Sequence, residues 1–259
     1  EMSASLVGSE MCIRDRTMAV QKVFKRYEYK YLLTREQKEL LQNVMEEYMI
    51  PDEYGKSTIC NLYFDTPQYL LIRRSIENKV YKEKVRLRTY GRAEPAGEAF
   101  IELKKKYKKV VYKRRICTEY EKAIQYLCRG ERVVGESQIG EELDYALRLY
   151  QGIRPAMWLS YEREAFYGKE DHELRMTFDQ NILWRTEDLD LSSPIYGRSL
   201  LDEDQSLLEI KVGHAIPLWL SHFLTENKMF RTSYSKYGNA YRTLLREGAV
   251  SYTHLRAHE

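Results

Sequence analysis

Alternating polar and apolar positions run through much of the chain, and this period of two predicts β-strands. In the stretch KEKVRLR, at 82–88, Val85 and Leu87 fall on one strand face. The opposite face carries four cations: Lys82, Lys84, Arg86 and Arg88. Because like charges on one pleat repel each other, this face predicts an anion beside it.

The same alternation marks strands before and after that stretch. Gly168 and the run Asp179-Gln180-Asn181 are typical of turns, so they are expected to separate neighbouring strands in the second half of the chain. The predicted strands lie at 23–31, 57–65, 80–90, 98–106, 109–117, 157–167, 172–179, 181–185 and 206–212.

Helical spacing and capping residues predict the remaining elements. Thr34 and Gln37 form a capping box ahead of an amphipathic segment that ends before Pro51. Further helices are predicted at 67–75, from Thr118 with Glu121 as its capping partner, from Ser137, with Pro217 in a first turn, and along SKYGNAYRTLL.

Most of the predicted strands are separated by turns of hairpin length, and the helices do not alternate with them as in parallel βαβ units. The sequence therefore predicts an α+β fold, an antiparallel β-barrel of about eight strands with helices packed outside it. Apolar strand faces, such as Leu208 with Ile210, need burial under those helices. The charged faces then point into the lumen: Arg26, Glu28 and Lys30; Lys82, Lys84, Arg86 and Arg88; Glu102, Lys104 and Lys106; Tyr161 and Arg163; Glu173 and Arg175; Glu209 and Lys211.

A solvated face is the ordinary alternative for any one of these strands, because Lys and Glu pair across exposed strands for little energy. The recurrence of charged faces opposite apolar ones favours a cationic lumen for the whole group. Glu209 lies between Leu208 and Ile210, so its orientation is the best defined among the carboxylates.

Composition narrows the function classes. The chain has 259 residues, is 43% hydrophobic and 31% charged, and carries a net charge of only +3, so any basic site is local. Cys12, Cys60, Cys117 and Cys128 form no C-x-x-C pair, which argues against a zinc site and favours a reducing cytoplasm. No apolar run approaches the ~20 residues of a membrane helix, and the N-terminal residues lack the apolar core of a signal peptide.

Both ends of the chain lack helical and strand periodicity. Residues 1–17 and 250–259 resemble translated sequencing adapter, so we expect both to be non-native extensions and Met18 to be the true start. The residues between them, 18–249, are predicted to form one domain.

Eight segments together carry a family resemblance: FKRYEYKYLL, LYFDTPQYLLIRRSIE, YKEKVRLRTYG, FIELKKKYKKVVYKRR, SYEREAFY, LRMTFDQNILWR, LLEIKV and SYSKYGNAY. In this order, over about residues 22–245, they resemble the VTC domain, a polyphosphate polymerase domain of the CYTH-like triphosphate tunnel metalloenzyme superfamily. The resemblance implies an antiparallel β-tunnel whose inward basic residues hold triphosphate or polyphosphate. It also implies a glutamate that binds Mn²⁺ or Mg²⁺.

The resemblance and the strand alternation together define candidate residues. The predicted catalytic set is Lys30, Arg86, Arg88, Lys104, Arg163 and Arg175. The predicted substrate-binding set is Arg26, Lys82, Lys84, Lys106, Lys113, Tyr161, Lys211, Ser235 and Lys236. Glu209 and Glu28 are the predicted metal ligands, and a salt bridge from Glu209 to a nearby Lys or Arg is the alternative.

The first strand departs from the wider superfamily. Many tunnel enzymes carry E-x-E-x-K there, whereas this chain reads Arg26-Tyr27-Glu28-Tyr29-Lys30, as expected for the VTC branch. Replacing an inward carboxylate by a cation favours holding a long anion over metal-rich hydrolysis.

These observations predict a metal-dependent phosphotransferase that moves the γ-phosphate of ATP onto inorganic polyphosphate. A triphosphatase or tripolyphosphatase in the same tunnel and a noncatalytic polyphosphate-binding module are the alternatives. The expected ligands are ATP and polyphosphate, without nucleic acid, since its binders more often expose cations on helices or loops. A membrane-protein partner is compatible with the prediction, although the chain itself is not expected to enter a membrane.

Overall fold

The structure is a computed structural model that describes residues 27–78, 80–108, 110–131 and 137–248. The expected extensions at 1–17 and 250–259, the start at Met18 and the candidate Arg26 lie outside these described residues. No helix in the described ranges is long and apolar enough to cross a membrane.

Nine strands and six helices occur in the described residues. The strands are β1 Tyr27–Thr34, β2 Met49–Asp65, β3 Tyr81–Tyr90, β4 Glu98–Tyr107, β5 Val110–Glu119, β6 Arg154–Gly168, β7 Arg175–Arg185, β8 Arg198–Ser199 and β9 Gln205–Val212. The helices are α1 Arg35–Tyr48, α2 Leu70–Glu77, α3 Tyr120–Arg129, α4 Gln138–Leu149, α5 Leu218–Glu226 and α6 Lys236–Arg246.

The strands form one antiparallel sheet in the order β1-β9-β7-β6-β2-β3-β4-β5, and the short β8 pairs with β7 outside this path. The predicted α+β class and antiparallel topology are confirmed, but full closure of the barrel is wrong. Within the described residues, the edge strands β1 and β5 form no ladder with each other. The sheet is therefore open and curled, and a side-chain ion pair reaches across from β1 to β4, where Glu28 lies 4.0 Å from Lys104.

Two strands are longer than the sequence pattern predicted. β2 starts directly after α1, because a register shift between Pro51 and Lys56 lets its ladder with β6 pass the proline. β7 is continuous across the predicted turn, because Asn181 takes a left-handed conformation with φ 48° that Asn tolerates better than most residues. The predicted break at Asp179-Gln180-Asn181 is thus an irregularity within one strand.

Helix starts were predicted well where a side chain caps the helix. The Thr34 and Gln37 capping box of α1 is present, and Ser137 caps α4. The capping box predicted at Thr118 and Glu121 is wrong, because Thr118 pairs with Ala99 in the β4–β5 ladder. That pairing extends β5 to Glu119, so α3 starts two residues later than predicted.

The outer face of the sheet packs under helices, as predicted. Val85 and Leu87 are fully buried with residues of α3 and α4, and Leu208 and Ile210 are fully buried with residues of α1 and α5. Burial of each such side chain stabilises the fold by about 1.5–3 kcal/mol. The charged residues that alternate with them consequently face the inside of the curl.

Helix α6 does not follow the prediction that all helices pack outside. Its residues Tyr237 and Ala240 join an apolar cluster with inward-facing residues of the sheet such as Leu159 and Leu207. The helix therefore lies inside the curl, over the apolar part of the inner face. Its first residue, Lys236, points towards the charged part.

Candidate functional site

The inward charges form two walls that face each other inside the curl. The first, which we call the Glu209 wall, comprises β1, β9, β7 and β6 together with the start of α6. The second, the Glu102 wall, comprises β3, β4 and β5. The Glu209 wall carries Glu28, Lys30, Arg163, Asp179, Glu209, Lys211 and Lys236; the Glu102 wall carries Lys82, Lys84, Arg86, Arg88, Glu102, Lys104, Lys106, Lys113 and Arg115.

Glu209 lies at the centre of the first wall and forms three ion pairs. Lys30 Nζ lies 2.8 Å and Lys236 Nζ 3.2 Å from its Oε1, while Arg163 Nη2 lies 3.4 Å from Oε2. Burial alone would raise the pKa of Glu209, but Lys236, Lys30 and Arg163 outweigh burial and hold the pKa well below its ordinary value. Glu209 is therefore a carboxylate anion held in place by cations from three elements.

Asp179 is a second organising carboxylate of this wall. It is fully buried and accepts two hydrogen bonds from Arg163, at 2.6 Å from Nε and 2.7 Å from Nη2, as well as one from Lys236. Sequence reasoning missed this residue because it placed Asp179 in a turn. Once β7 is continuous, its alternation with Arg175 would have predicted the inward orientation.

Glu102 organises the second wall, and it is also fully buried. Arg86 Nε lies 2.6 Å and Lys113 Nζ 2.8 Å from its oxygens. Arg115 and Arg88 lie farther away, with Nε at 3.5 Å and 3.8 Å. Burial would raise the pKa of Glu102, yet these cations lower it far below its ordinary value. Sequence alternation placed Glu102 inward but gave it no role.

Neutral groups orient the two arginines of β3. Arg88 Nε donates to Asn61 Oδ1 at 3.0 Å and Arg88 Nη2 donates to Tyr161 OH at 3.1 Å. Arg86 Nη1 donates to Tyr63 OH at 3.3 Å. Tyr161 was a predicted site residue, whereas Asn61 and Tyr63 carry no charge and were missed.

Lys84 connects the Glu102 wall to the start of α6. Its Nζ donates to Ser235 Oγ at 2.9 Å, and no ion pair of Lys84 occurs among the described residues. Burial, acting together with the nearby cations Lys104, Lys30 and Arg86, lowers its pKa to about 7. The predicted candidates thus converge around a point with surplus positive charge. Lys113 behaves similarly, because burial outweighs Glu102 and lowers its pKa to about 8.

Other candidates lie around this centre. Lys211 pairs in register with Glu28 and with Arg175, and burial lowers the pKa of Lys211. Lys82 and Lys106 are cross-strand partners beyond Lys84. Arg175 is 55% exposed and lies 3.7 Å from Asp52, so the structure places it at the rim, and its catalytic role stays a prediction.

The candidate metal ligands Glu209 and Glu28 both contact the ammonium group of Lys30, at 2.8 Å and 3.3 Å. Their carboxylate oxygens suit Mn²⁺ or Mg²⁺, which are hard cations. Among the described residues, however, no group of three or more His, Cys, Asp or Glu side chains could hold a metal. Glu209 and Glu28 are the two carboxylates whose chemistry fits a divalent ion, and they would hold it here. The ion pairs expected as the alternative for Glu209 are present.

Comparisons with known proteins agree with this geometry. A family model described as the VTC domain matches residues 25–245. The comparison with curated proteins gives no match.

Solved structures share the fold at low sequence identity. One is a Bacillus halodurans protein described as a candidate adenylate cyclase, with 14% identity, a TM-score of 0.51 and coverage of 80% of this chain and 92% of the other. Another is a Hippeastrum protein described as a candidate adenylyl cyclase with a dominant triphosphatase activity, with 15% identity, a TM-score of 0.50 and coverage of 85% and 95%. Such identities establish the shared fold and leave the activity of this chain to its own residues.

Proposed function

The chain belongs to the VTC domain family, and from this premise we propose that it is a polyphosphate polymerase. In the proposed reaction, a terminal phosphate oxygen of polyphosphate attacks the γ-phosphorus of ATP. The bond from the γ-phosphorus to the β,γ-bridging oxygen breaks, and ADP leaves with that electron pair. The chain grows by one phosphate, and no protein nucleophile is needed.

The surplus of positive charge around Lys84 is the observation that carries the proposal. Lys84, Lys30 and Lys104 come from three different strands and approach the same point. Such a concentration of partly desolvated ammonium groups is costly unless a polyanion occupies it. Condensed phosphates carry closely spaced negative charges and fit this requirement.

Each wall supports a separate part of the reaction. Arg86 and Arg88, fixed by Glu102 and by neutral groups, can grip phosphate oxygens through two N–H groups at once. Lys residues act as point charges, so they permit a chain to shift by one phosphate. Asp179 holds Arg163 and Lys236 beside Glu209, where charge develops during transfer.

Glu209 and Glu28 are the residues that would hold a divalent ion. When bound, Mn²⁺ or Mg²⁺ would neutralise phosphate charge near these carboxylates. Positioning and charge stabilisation by the protein's own cations supply the rest of the catalysis.

Hydrolysis is the competing function in the same lumen, and the triphosphatase activity named for the Hippeastrum protein supports considering it. In that case water would replace the phosphate acceptor. The stretch Arg26-Tyr27-Glu28-Tyr29-Lys30 favours the polymerase, because one inward carboxylate of the E-x-E-x-K pattern is absent. The cytoplasmic location and a membrane-protein partner stay predictions.

Incubation of the purified chain with ATP and Mn²⁺ tests the proposal. The expected result is long polyphosphate, separated by gel electrophoresis, together with one ADP for each phosphate added to the chain. Free phosphate as the main product would replace the polymerase by a triphosphatase. Neither product, combined with tight binding of polyphosphate, would replace it by a binding module. Arg114→Ala removes a cation from the outer face of β5, where Arg114 contacts Glu142 at 3.1 Å. This variant should form the same product as wild type, and it serves as the control for variants of the inward cations.

A further inference from the structure

A buried carboxylate outside the two walls joins α2, α6 and β2. Asp65 is fully buried and accepts backbone N–H groups from Thr66 and Leu71 at 2.8 Å and from Ile72 at 3.0 Å. It also accepts the hydroxyl of Tyr237 at 2.9 Å. Burial raises the pKa of Asp65, while these four hydrogen bonds oppose the increase. The first turn of α2 and the second residue of α6 are thereby fixed to the end of β2.

Tyr237 connects this anchor to both walls. Its ring stacks on Tyr63 with centroids 4.4 Å apart and planes 14° apart. Tyr63 in turn accepts a hydrogen bond from Arg86, in the Glu102 wall. The residue before Tyr237 is Lys236, which contacts Asp179 and Glu209 in the other wall.

The hydroxyl of Tyr237 does more than fill space. A ring alone could pack in the apolar cluster of α6, but it could rotate and slide against Tyr63. The bond to Asp65 fixes the ring, and a fixed ring holds both the rotation of α6 and the ring of Tyr63 that stacks on it. Because Ser235 and Lys236 start α6, their direction into the lumen follows from that rotation.

We propose that Asp65 and Tyr237 are positioning residues, whose hydrogen bond sets the places of Lys236 and, through Tyr63, of Arg86 in the anion site. The inference rests on the proposed function, because it assumes that these two cations bind phosphate. Asp65 and Tyr237 themselves touch no substrate.

Tyr237→Phe tests the proposal because it keeps the ring and removes only the hydroxyl. Tyr120→Phe is the matched control, since Tyr120 is also buried at the start of a helix and donates to a carboxylate, Asp190, at 2.8 Å. That pair lies on the outer side of the sheet. Affinity for inorganic triphosphate is measured by isothermal titration calorimetry, and melting temperature is measured on the same samples.

The expected result is about tenfold weaker triphosphate binding by Tyr237→Phe, from one lost hydrogen bond and its coupling to the cations. Tyr120→Phe also loses the hydrogen bond that its hydroxyl accepts from Leu191 N–H at 3.1 Å, so it should lower the melting temperature at least as much as Tyr237→Phe does, while its dissociation constant stays within about twofold of wild type. Equal affinities in Tyr237→Phe, Tyr120→Phe and wild type would overturn the positioning role. Wild type that binds no triphosphate would instead overturn the proposed function.

A double-mutant cycle shows whether Tyr237 acts through Lys236. In a Lys236→Met background, Tyr237→Phe should weaken triphosphate binding by only about twofold, because part of what it positions is already absent. An undiminished tenfold effect in that background would overturn the route through Lys236. Asp65→Asn should weaken triphosphate binding more than Tyr237→Phe does. If Asp65→Asn does not fold, the result for Tyr237→Phe alone decides whether the hydrogen bond has a positioning role.

Discussion

The two walls of the lumen solve opposite electrostatic problems. In the Glu209 wall, the carboxylates Asp179 and Glu209 are paired with Lys30, Arg163 and Lys236 at short distances. On the inward face of the Glu102 wall, Glu102 is the one buried carboxylate among the described residues, and it faces a row of cations. The first wall is held by its own ion pairs, whereas the second has charge to spare for a ligand. Fixed geometry and surplus positive charge are thus divided between neighbouring parts of one sheet.

The largest effect is expected when the arginines of the Glu102 wall are removed. Arg86→Ala with Arg88→Ala should lower kcat/KM by about a thousandfold, because each arginine is a preorganised donor to phosphate. Arg86→Lys with Arg88→Lys keeps the charges and should recover part of the activity. Steady-state turnover is measured beside circular dichroism, and wild-type turnover in a folded alanine variant would remove both arginines from the site.

In the Glu209 wall, the test concerns the metal-binding role predicted for Glu209. Glu209→Gln keeps the shape and removes the charge of a predicted metal ligand, so metal-stimulated turnover should fall by at least the roughly 10–100-fold that is typical for losing a residue that only orients a metal ligand. Triphosphate binding without metal should be equal or tighter, because a negative charge is gone. Turnover is titrated against Mn²⁺ in both proteins. An unchanged metal response with lower stability would assign Glu209 to the ion pairs alone.

The pH dependence of triphosphate binding tests the role of Lys84 in the Glu102 wall. Its pKa of about 7 results from burial and from Lys104, Lys30 and Arg86, and a bound polyanion should raise that pKa. Binding then takes up a proton above pH 7, so affinity should fall by about tenfold at most per pH unit as pH rises towards 9. In Lys84→Arg the charge persists, and the slope should be flatter.

Calorimetric dissociation constants for triphosphate from pH 6.5 to about 9 provide this measurement. Ionisation of the ligand and of Lys113, whose pKa is about 8, contributes to both proteins and cancels in their difference. Lys84→Met should bind weakly with an equally flat slope. Parallel pH profiles for wild type and Lys84→Arg would contradict titration at Lys84.

The smallest effect on ligand binding is expected from residues of the Glu102 wall that lie far from Glu209. Lys82 and Lys106 neighbour each other and Arg242, away from Glu209. Lys82→Met with Lys106→Met should leave triphosphate binding within about twofold but weaken binding of long polyphosphate by about three- to fivefold, since only a long chain reaches these two half-buried charges. Competition binding with chains of defined length measures the ratio. Equal losses of affinity for triphosphate and for long polyphosphate would contradict this prediction and place Lys82 and Lys106 at the centre of the anion site.

Strand alternation predicted most of the site because it depends only on local geometry. It placed Lys30, Arg86, Arg88 and Arg163 inward, and the structure confirms those orientations. The outward apolar faces were predicted for the same reason. No tertiary information is needed to know that adjacent residues of a strand face opposite sides.

The missed features depend on contacts between distant segments. Asp179 was placed in a turn because turn chemistry was read without the ladder that continues past Asn181. Tyr63 and Asp65 act through partners far away in sequence, on α6 and β3. Closure of the sheet was wrong because alternation fixes faces but does not determine whether the first and last strands meet. Lys236 came only from the family resemblance, since nothing local shows that α6 enters the curl.

The open seam between β1 and β5 makes the width of the lumen adjustable. In a closed barrel a continuous ring of backbone hydrogen bonds sets the girth, and widening it breaks a ladder. Here the half-exposed contact of Glu28 with Lys104 spans the gap, and such a pair is worth about 0–1 kcal/mol. A phosphate chain held by Lys30 on one side and by Lys84 and Lys104 on the other would fasten the two margins together. A bound phosphate chain would thereby join two margins that share no backbone ladder in the described residues, and the occupied sheet would be stiffer than the empty one.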